Sequence, residues 1–124
     1  MHMHEYWLLI AKEDLDSAKH LFSKEFITTL FHVQQCAEKS LKAYLVFINN
    51  SVIKTHDLVK LVDVCLKYNK QFEVLRQLAA TITPYETAGR YPDNTFKKPS
   101  QENIKNFIEK SEYVFNFVIN QINK

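Results

Sequence analysis

The sequence predicts an all-α protein, an up-and-down bundle of four to five helices, and three observations carry that expectation. One glycine and three prolines are too few for the many tight turns of an all-β chain. Apolar residues recur over long stretches at about 100° per residue, the spacing of an α-helix. Neither an internal repeat nor a sustained heptad run is present, which sets aside solenoids and extended coiled coils. The 124 residues suffice for one domain, so 1–124 is read as a single unit.

The first helix is expected over residues 4–22. Trp7, Leu8, Ala11, Leu15, Ala18 and Phe22 fall on one side, and Glu5, Lys12, Glu13, Asp16, Lys19 and His20 on the other. Asp14 breaks the pattern, projecting between Trp7, Ile10 and Leu21 on the apolar flank. A carboxylate there is costly unless paired. It is either a boundary residue reaching water or an orienting carboxylate for a cation, with Arg90 the first candidate and Lys39 or Lys42 behind it.

Ser23-Lys24-Glu25 is a short break, so the second helix, from 26 to 47 or 48, folds back antiparallel on the first. Its main arc holds Phe26, Leu30, Val33, Ala37, Leu41, Tyr44 and Ile48. The opposite arc mixes Gln34, Gln35, Glu38, Lys39 and Lys42 with Ile27, Phe31, Leu45 and Val46. A helix that is apolar nearly all round packs on more than one side. It is therefore read as the central helix, and Ile27, Phe31, Leu45 and Val46 as the candidate contact of a homodimer.

Thr55-His56-Asp57 offers caps for a third helix with Leu58, Leu61, Val62, Cys65 and Leu66 as its stripe. A fourth helical piece is expected over 71–82, with Phe72, Leu75, Leu78, Ala79 and Ile82. The stretch 83–99 then holds the glycine and all three prolines, together with Arg90, Lys97, Lys98, Tyr85, Tyr91 and Phe96. It reads as a long loop, either an aromatic-anchored cover for one end of the bundle or a segment for phosphate and base contacts. Ser100 is placed as the N-cap of the last helix, with Glu102 in its first turn.

Several kinds of chemistry are excluded. Glycine-rich phosphate loops need more than one glycine. A formal charge of +2 is too balanced for bulk electrostatic attraction to nucleic acid, so any phosphate contact must come from local clustering. Cys36 and Cys65 have no CxxC partner and read as buried free thiols. No dense ligand set points to a metal, and no cofactor is expected. No apolar run approaches the ~20 residues of a membrane span, and the first residues do not resemble a signal peptide, so a cytoplasmic protein is expected.

His32, Gln35, Lys39 and Lys42 lie within about 80° of one another on the second helix. They form either a solvated face with a routine Glu38–Lys42 pair or a cationic stripe able to meet an anion. His56 either caps the third helix or contributes to phosphate binding and proton transfer.

Four strings then carry a resemblance. They are Ala11-Lys12-Glu13-Asp14-Leu15-Asp16-Ser17-Ala18, His32-Val33-Gln34-Gln35-Cys36-Ala37-Glu38-Lys39-Ser40-Leu41-Lys42-Ala43, Thr55-His56-Asp57-Leu58-Val59-Lys60-Leu61 and Arg90-Tyr91-Pro92-Asp93, in that order. In these the chain resembles a HEPN domain (higher eukaryotes and prokaryotes nucleotide-binding) over nearly its whole length. The resemblance implies a helical bundle, usually homodimeric, that binds nucleotides. It also implies frequent partnership with a small nucleotidyltransferase in a two-component, toxin–antitoxin type system. Many members are metal-independent ribonucleases in which an arginine is followed four to six residues later by a histidine. This sequence departs from that string, since no histidine occurs after His56.

The reading that follows is a nucleotide- or partner-binding module. A ribonuclease with an unconventional site and a non-catalytic dimeric scaffold are the alternatives. The expected site joins His32, Gln35, Lys39, Lys42, His56, Arg90 and Tyr91. Lys39, Lys42 and Arg90 would meet phosphate, Tyr91 would stack on a base, and Gln35 would bond the base edge.

Overall fold

The computed structural model describes residues 1–82 and 99–124. Five α-helices and one 3-10 helix make up these residues: α1 (Met3–Leu21), α2 (Phe26–Asn49), α3 (Leu58–Leu66), the 3-10 helix (Lys70–Leu75), α4 (Arg76–Ile82) and α5 (Gln101–Ile122). The long loop expected over 83–99 lies, except for Pro99, outside the described residues.

The ends of the helices follow from local chemistry. His2 donates its backbone N–H to Glu5 Oε1 at 3.0 Å and so caps α1. The backbone N–H groups of Lys24 and Glu25 both donate to the Leu21 carbonyl at 2.9 Å, closing α1 and turning the chain into α2. Asn50 ends α2 in the left-handed conformation, φ 50° and ψ 33°, a region that asparagine tolerates better than most residues. Asp57 caps α3 by accepting from Lys60 N–H at 3.2 Å. Ser100 caps α5 by accepting from Asn103 N–H at 3.1 Å. The Ser100 cap stands where the sequence places it, and Asp57 is one of the three residues, Thr55-His56-Asp57, that the sequence offers for α3.

The 71–82 segment departs from the single helix expected there. It opens as a 3-10 helix and becomes α-helical only at Arg76. In the tighter helix, residues three apart eclipse one another, which directs both Phe72 and Leu75 into the core. The Asn69 side chain starts that turn by accepting from Gln71 N–H at 3.0 Å.

Helix α2 is the centre, packed against α1, α3 and α5. Leu30, Val33, Ala37, Leu41 and Tyr44 join Leu15, Ala18, Leu58, Leu61, Phe72, Ile104, Val114 and Val118 in one continuous core. Phe72 sits between Tyr44 and Phe117, with ring centroids 4.4 and 5.0 Å away. Cys36 and Cys65 are free and buried, and burial pushes both thiols up to about 12. The Cys36 thiol lies 4.0 Å from the Ser111 carbonyl of α5, and the Cys65 thiol 4.0 Å from the Leu41 carbonyl of α2.

The expected dimer contact needs correction. Leu45 and Val46 are buried within a single chain: Leu45 belongs to the core cluster, and Val46 is 4% exposed. Their apolar character is satisfied internally and requires no second copy. Ile27 is 41% exposed and Phe31 half-buried, so these two alone remain on the surface in question.

Phe72→Ala is expected to lower unfolding stability by about 3–5 kcal/mol, because it removes a fully buried ring and leaves a cavity. A urea titration followed by far-ultraviolet circular dichroism reads this. A loss below about 1 kcal/mol would show that the 3-10 segment is not anchored through that ring.

Candidate functional site

Helices α1 and α2 bring a line of polar side chains together on an otherwise apolar scaffold. At its centre is Glu38, whose side chain is 0% exposed. A buried carboxylate is costly unless cations and donors compensate it, and here they converge on one oxygen. Lys42 Nζ lies 3.0 Å, His56 Nδ1 3.1 Å and Lys39 Nζ 3.2 Å from Glu38 Oε2. Glu38 Oε1 accepts from Gln34 Nε2 at 3.3 Å and lies 3.2 Å from His56 Nδ1.

The neighbours hold this arrangement in register. Gln34, itself buried, also donates Nε2 to the His56 carbonyl at 3.2 Å, which ties the connector before α3 to α2. Its Oε1 accepts from Gln35 Nε2 at 2.7 Å. Across the α1–α2 seam, the Trp7 ring lies 5.5 Å from Lys39 Nζ and 5.9 Å from Lys42 Nζ, so both ammonium groups meet an aromatic ring as well as a carboxylate.

Burial alone would raise the Glu38 carboxyl. The hydrogen bonds from Lys42 and His56 and the charges of Lys39 and Lys42 outweigh burial and hold it below its ordinary value. Asp14 shows the opposite balance. Burial raises its carboxyl above the ordinary value, although a hydrogen bond with His32 and the charges of His32 and Lys39 pull the other way.

The partner of Asp14 is His32, with Oδ1 2.7 Å from Nδ1. Among its expected partners, Lys39 contributes at longer range through its charge, and Arg90 lies outside the described residues. Each pair consists of an imidazole held through Nδ1 by a carboxylate, with Nε2 turned away from that bond.

His32, Gln35, Lys39, Lys42 and His56 all lie along this stretch of α2 and its connector. They do not play equal parts. Lys42 is buried and serves as the counter-ion of Glu38, which removes it from the set expected to reach phosphate. The Lys39 side chain keeps 19% and that of His56 keeps 55% of its surface in water, so these two form the accessible rim. Arg90 and Tyr91 lie outside the described residues.

The alternative of a solvated helix face fails, because Gln34, Glu38 and Lys42 are buried. Sequence reasoning does not single out Glu38, Gln34 or Trp7 as site residues. The signal for Glu38 is one glutamate with lysines one and four residues on, in a helix whose apolar residues leave no fully wet side. Among the described residues, no three His, Cys, Asp or Glu side chains are grouped to hold a metal ion. The chemistry on offer is therefore anion binding, from a cation set that exceeds its central carboxylate in charge, and proton transfer at two anchored imidazoles.

The sequence matches the model of the HEPN domain over residues 4–122. Two solved structures are similar over almost their whole length. One is the crystal structure of an archaeal HEPN homologue, 25% identical, covering 98% of this chain and 99% of the other, with a TM-score of 0.79. The other is the crystal structure of a protein from Thermus thermophilus, 21% identical, covering 97% and 98%, with a TM-score of 0.85, a likeness of fold. A comparison with curated proteins gives no match. Among the described residues, no helix is long and apolar enough to cross a membrane.

Glu38→Ala is expected to cost about 3–5 kcal/mol at neutral pH, because it leaves the buried Lys42 ammonium without its counter-ion. Since the folded state holds the Glu38 carboxyl below its ordinary value, its contribution is present above the ordinary carboxylate range and lost as pH falls through the folded-state value. The stability gap between wild type and Glu38→Gln should therefore narrow on acidification. Urea titrations from neutral pH downward test it, and a gap that is constant with pH would refute the assignment.

Proposed function

The chain belongs to the HEPN domain family, and on that premise we propose that it is a nucleotide- or partner-binding module whose anion site is the rim of Lys39 and His56 above Glu38. The observation that carries this reading is the convergence of Lys39, Lys42 and His56 on a single buried carboxylate oxygen. Glu38 and Lys42 neutralise one another inside the fold. Lys39 is then the surplus cation, fixed in place before any ligand arrives, and such preorganisation lowers the ordering cost of binding.

His56 in its protonated form donates Nδ1–H to Glu38 and offers Nε2–H outward. Arg90 and Tyr91 join this proposal on the strength of the Arg-Tyr-Pro string alone. Work with a small nucleotidyltransferase in a two-component, toxin–antitoxin type system is likewise proposed on family resemblance. A homodimer is proposed through the surface that includes Ile27 and Phe31. The missing arginine–histidine string favours binding over RNA cleavage.

Isothermal titration of the full chain with adenosine nucleotides is expected to show binding. Lys39→Met should weaken it about tenfold, near 1.4 kcal/mol, with thermal unfolding still cooperative. No heat with any nucleotide would leave the dimeric scaffold as the reading. Sedimentation equilibrium at micromolar concentration is expected to give the dimer mass, and monomer alone would reject that part.

A further inference from the structure

A cavity of about 380 Å³ opens where the start of α1 meets the end of α2, lined by His2, Met3, His4, Val46, Phe47 and Asn50. Phe47 stands nine residues beyond Glu38, about 14 Å along the axis of α2, so this is a separate part of the molecule. Two of the lining side chains are imidazoles. The His2 and His4 rings are parallel within 8°, with centroids 5.8 Å apart. Residues two apart in a continuous helix diverge by about 160°. His2 escapes that rule because it is the N-cap, extended at φ -73° and ψ 153°, and extended backbone returns every second side chain to one face. His4 is half-buried, and the Phe47 ring meets it edge-on at 5.0 Å, which holds the imidazole against α2.

We propose that His2, His4 and Met3 form a binding site for Cu(I). Spacing argues for one ion between the two rings. A metal–imidazole bond is about 2.0 Å long, so two imidazoles on one ion have centroids about 5 Å apart at a tetrahedral angle and about 6 Å apart in line. The observed 5.8 Å falls inside that range. The donor set then selects the ion. Among the described residues no third His, Cys, Asp or Glu is grouped with the pair, and the nearby Glu5 carboxylate is engaged, its Oε1 accepting from the His2 N–H at 3.0 Å. The third donor at the cavity is the Met3 thioether, 53% exposed and free to adjust. Two neutral imidazoles and a thioether suit a soft, monovalent ion, whereas a structural zinc site takes four ligands.

The test is an anaerobic titration of the full chain with Cu(I), in competition with the chromophoric chelator bicinchoninate, beside a titration with Zn(II). One Cu(I) is expected per chain, bound at least tenfold more tightly than Zn(II). His2→Asn and His4→Asn should each weaken Cu(I) at least tenfold, and Met3→Leu should weaken it by a smaller factor. Replacing both buried cysteines by alanine should leave the affinity within twofold, since the thiols take no part. Cu(I) should also raise the thermal midpoint of the wild type and not that of His2→Asn, because an ion bound by the folded state alone stabilises it. His2 is exposed, so its variant reads the site even where His4→Asn disturbs the packing on Phe47. No binding of Cu(I), affinity unchanged by His2→Asn, affinity lost with the cysteines, or Zn(II) held as tightly as Cu(I) would each overturn the proposal, and none of these outcomes touches the anion site at Lys39 and His56.

Discussion

The polar face of this protein depends on one buried charge. Glu38 has no contact with water, and its ionised form persists because Lys42, His56 and Lys39 surround one of its oxygens while Gln34 serves the other. Two of these partners stand one and four residues on in the same helix, and Gln34 stands one turn before. Only His56 comes from elsewhere. The carboxylate therefore binds partners within its own helix and also ties in the connector that leads into α3. A buried pair of this kind is a weak source of net stability but a strong constraint on geometry, because rotating α2 would strand a charge in the core.

The same constraint acts across the α1–α2 seam. Asp14 and His32 join the helices near one end, and Trp7 lies against Lys39 and Lys42 farther along. The apolar stripes of α1 and α2 would still pack after small slides, since Leu and Ala side chains tolerate modest rearrangement. Hydrogen bonds at 2.7 Å do not. Thus the polar groups fix the register of a hairpin whose bulk stabilisation is apolar, and in doing so they set the positions of the side chains proposed to bind a ligand.

Much of the fold was legible in the sequence. The stripes of α1 and α5, the Ser23-Lys24-Glu25 break, the Ser100 cap and a cap for α3 within Thr55-His56-Asp57 each follow from short-range rules, in which a residue's neighbours within a turn decide its state. The 3-10 opening at Lys70 was not legible, because Phe72 and Leu75 fit either helical form and tertiary packing chooses between them. The stripe of His32, Gln35, Lys39 and Lys42 could be read as spacing, but its centre could not. Glu38 and Lys42 look like an exposed helical pair until the connector carrying His56 closes over them, and that closure is a long-range event. For the same reason Leu45 and Val46 looked like an interface: periodicity shows that a residue is apolar, not what covers it.

The two cysteines give the core a way of being timed. Cys36 sits where α2 meets α5, and Cys65 where α3 meets α2. With both thiols pushed up to about 12, the nucleophilic thiolate is almost absent at neutral pH, and burial keeps reagents away in any case. Alkylation at either position therefore waits for its own seam to part, and the two positions report on separate seams. The rate at which each sulfur is trapped measures how often that seam opens, and the ratio of the two rates distinguishes a bundle that opens all at once from one that releases a single helix at a time.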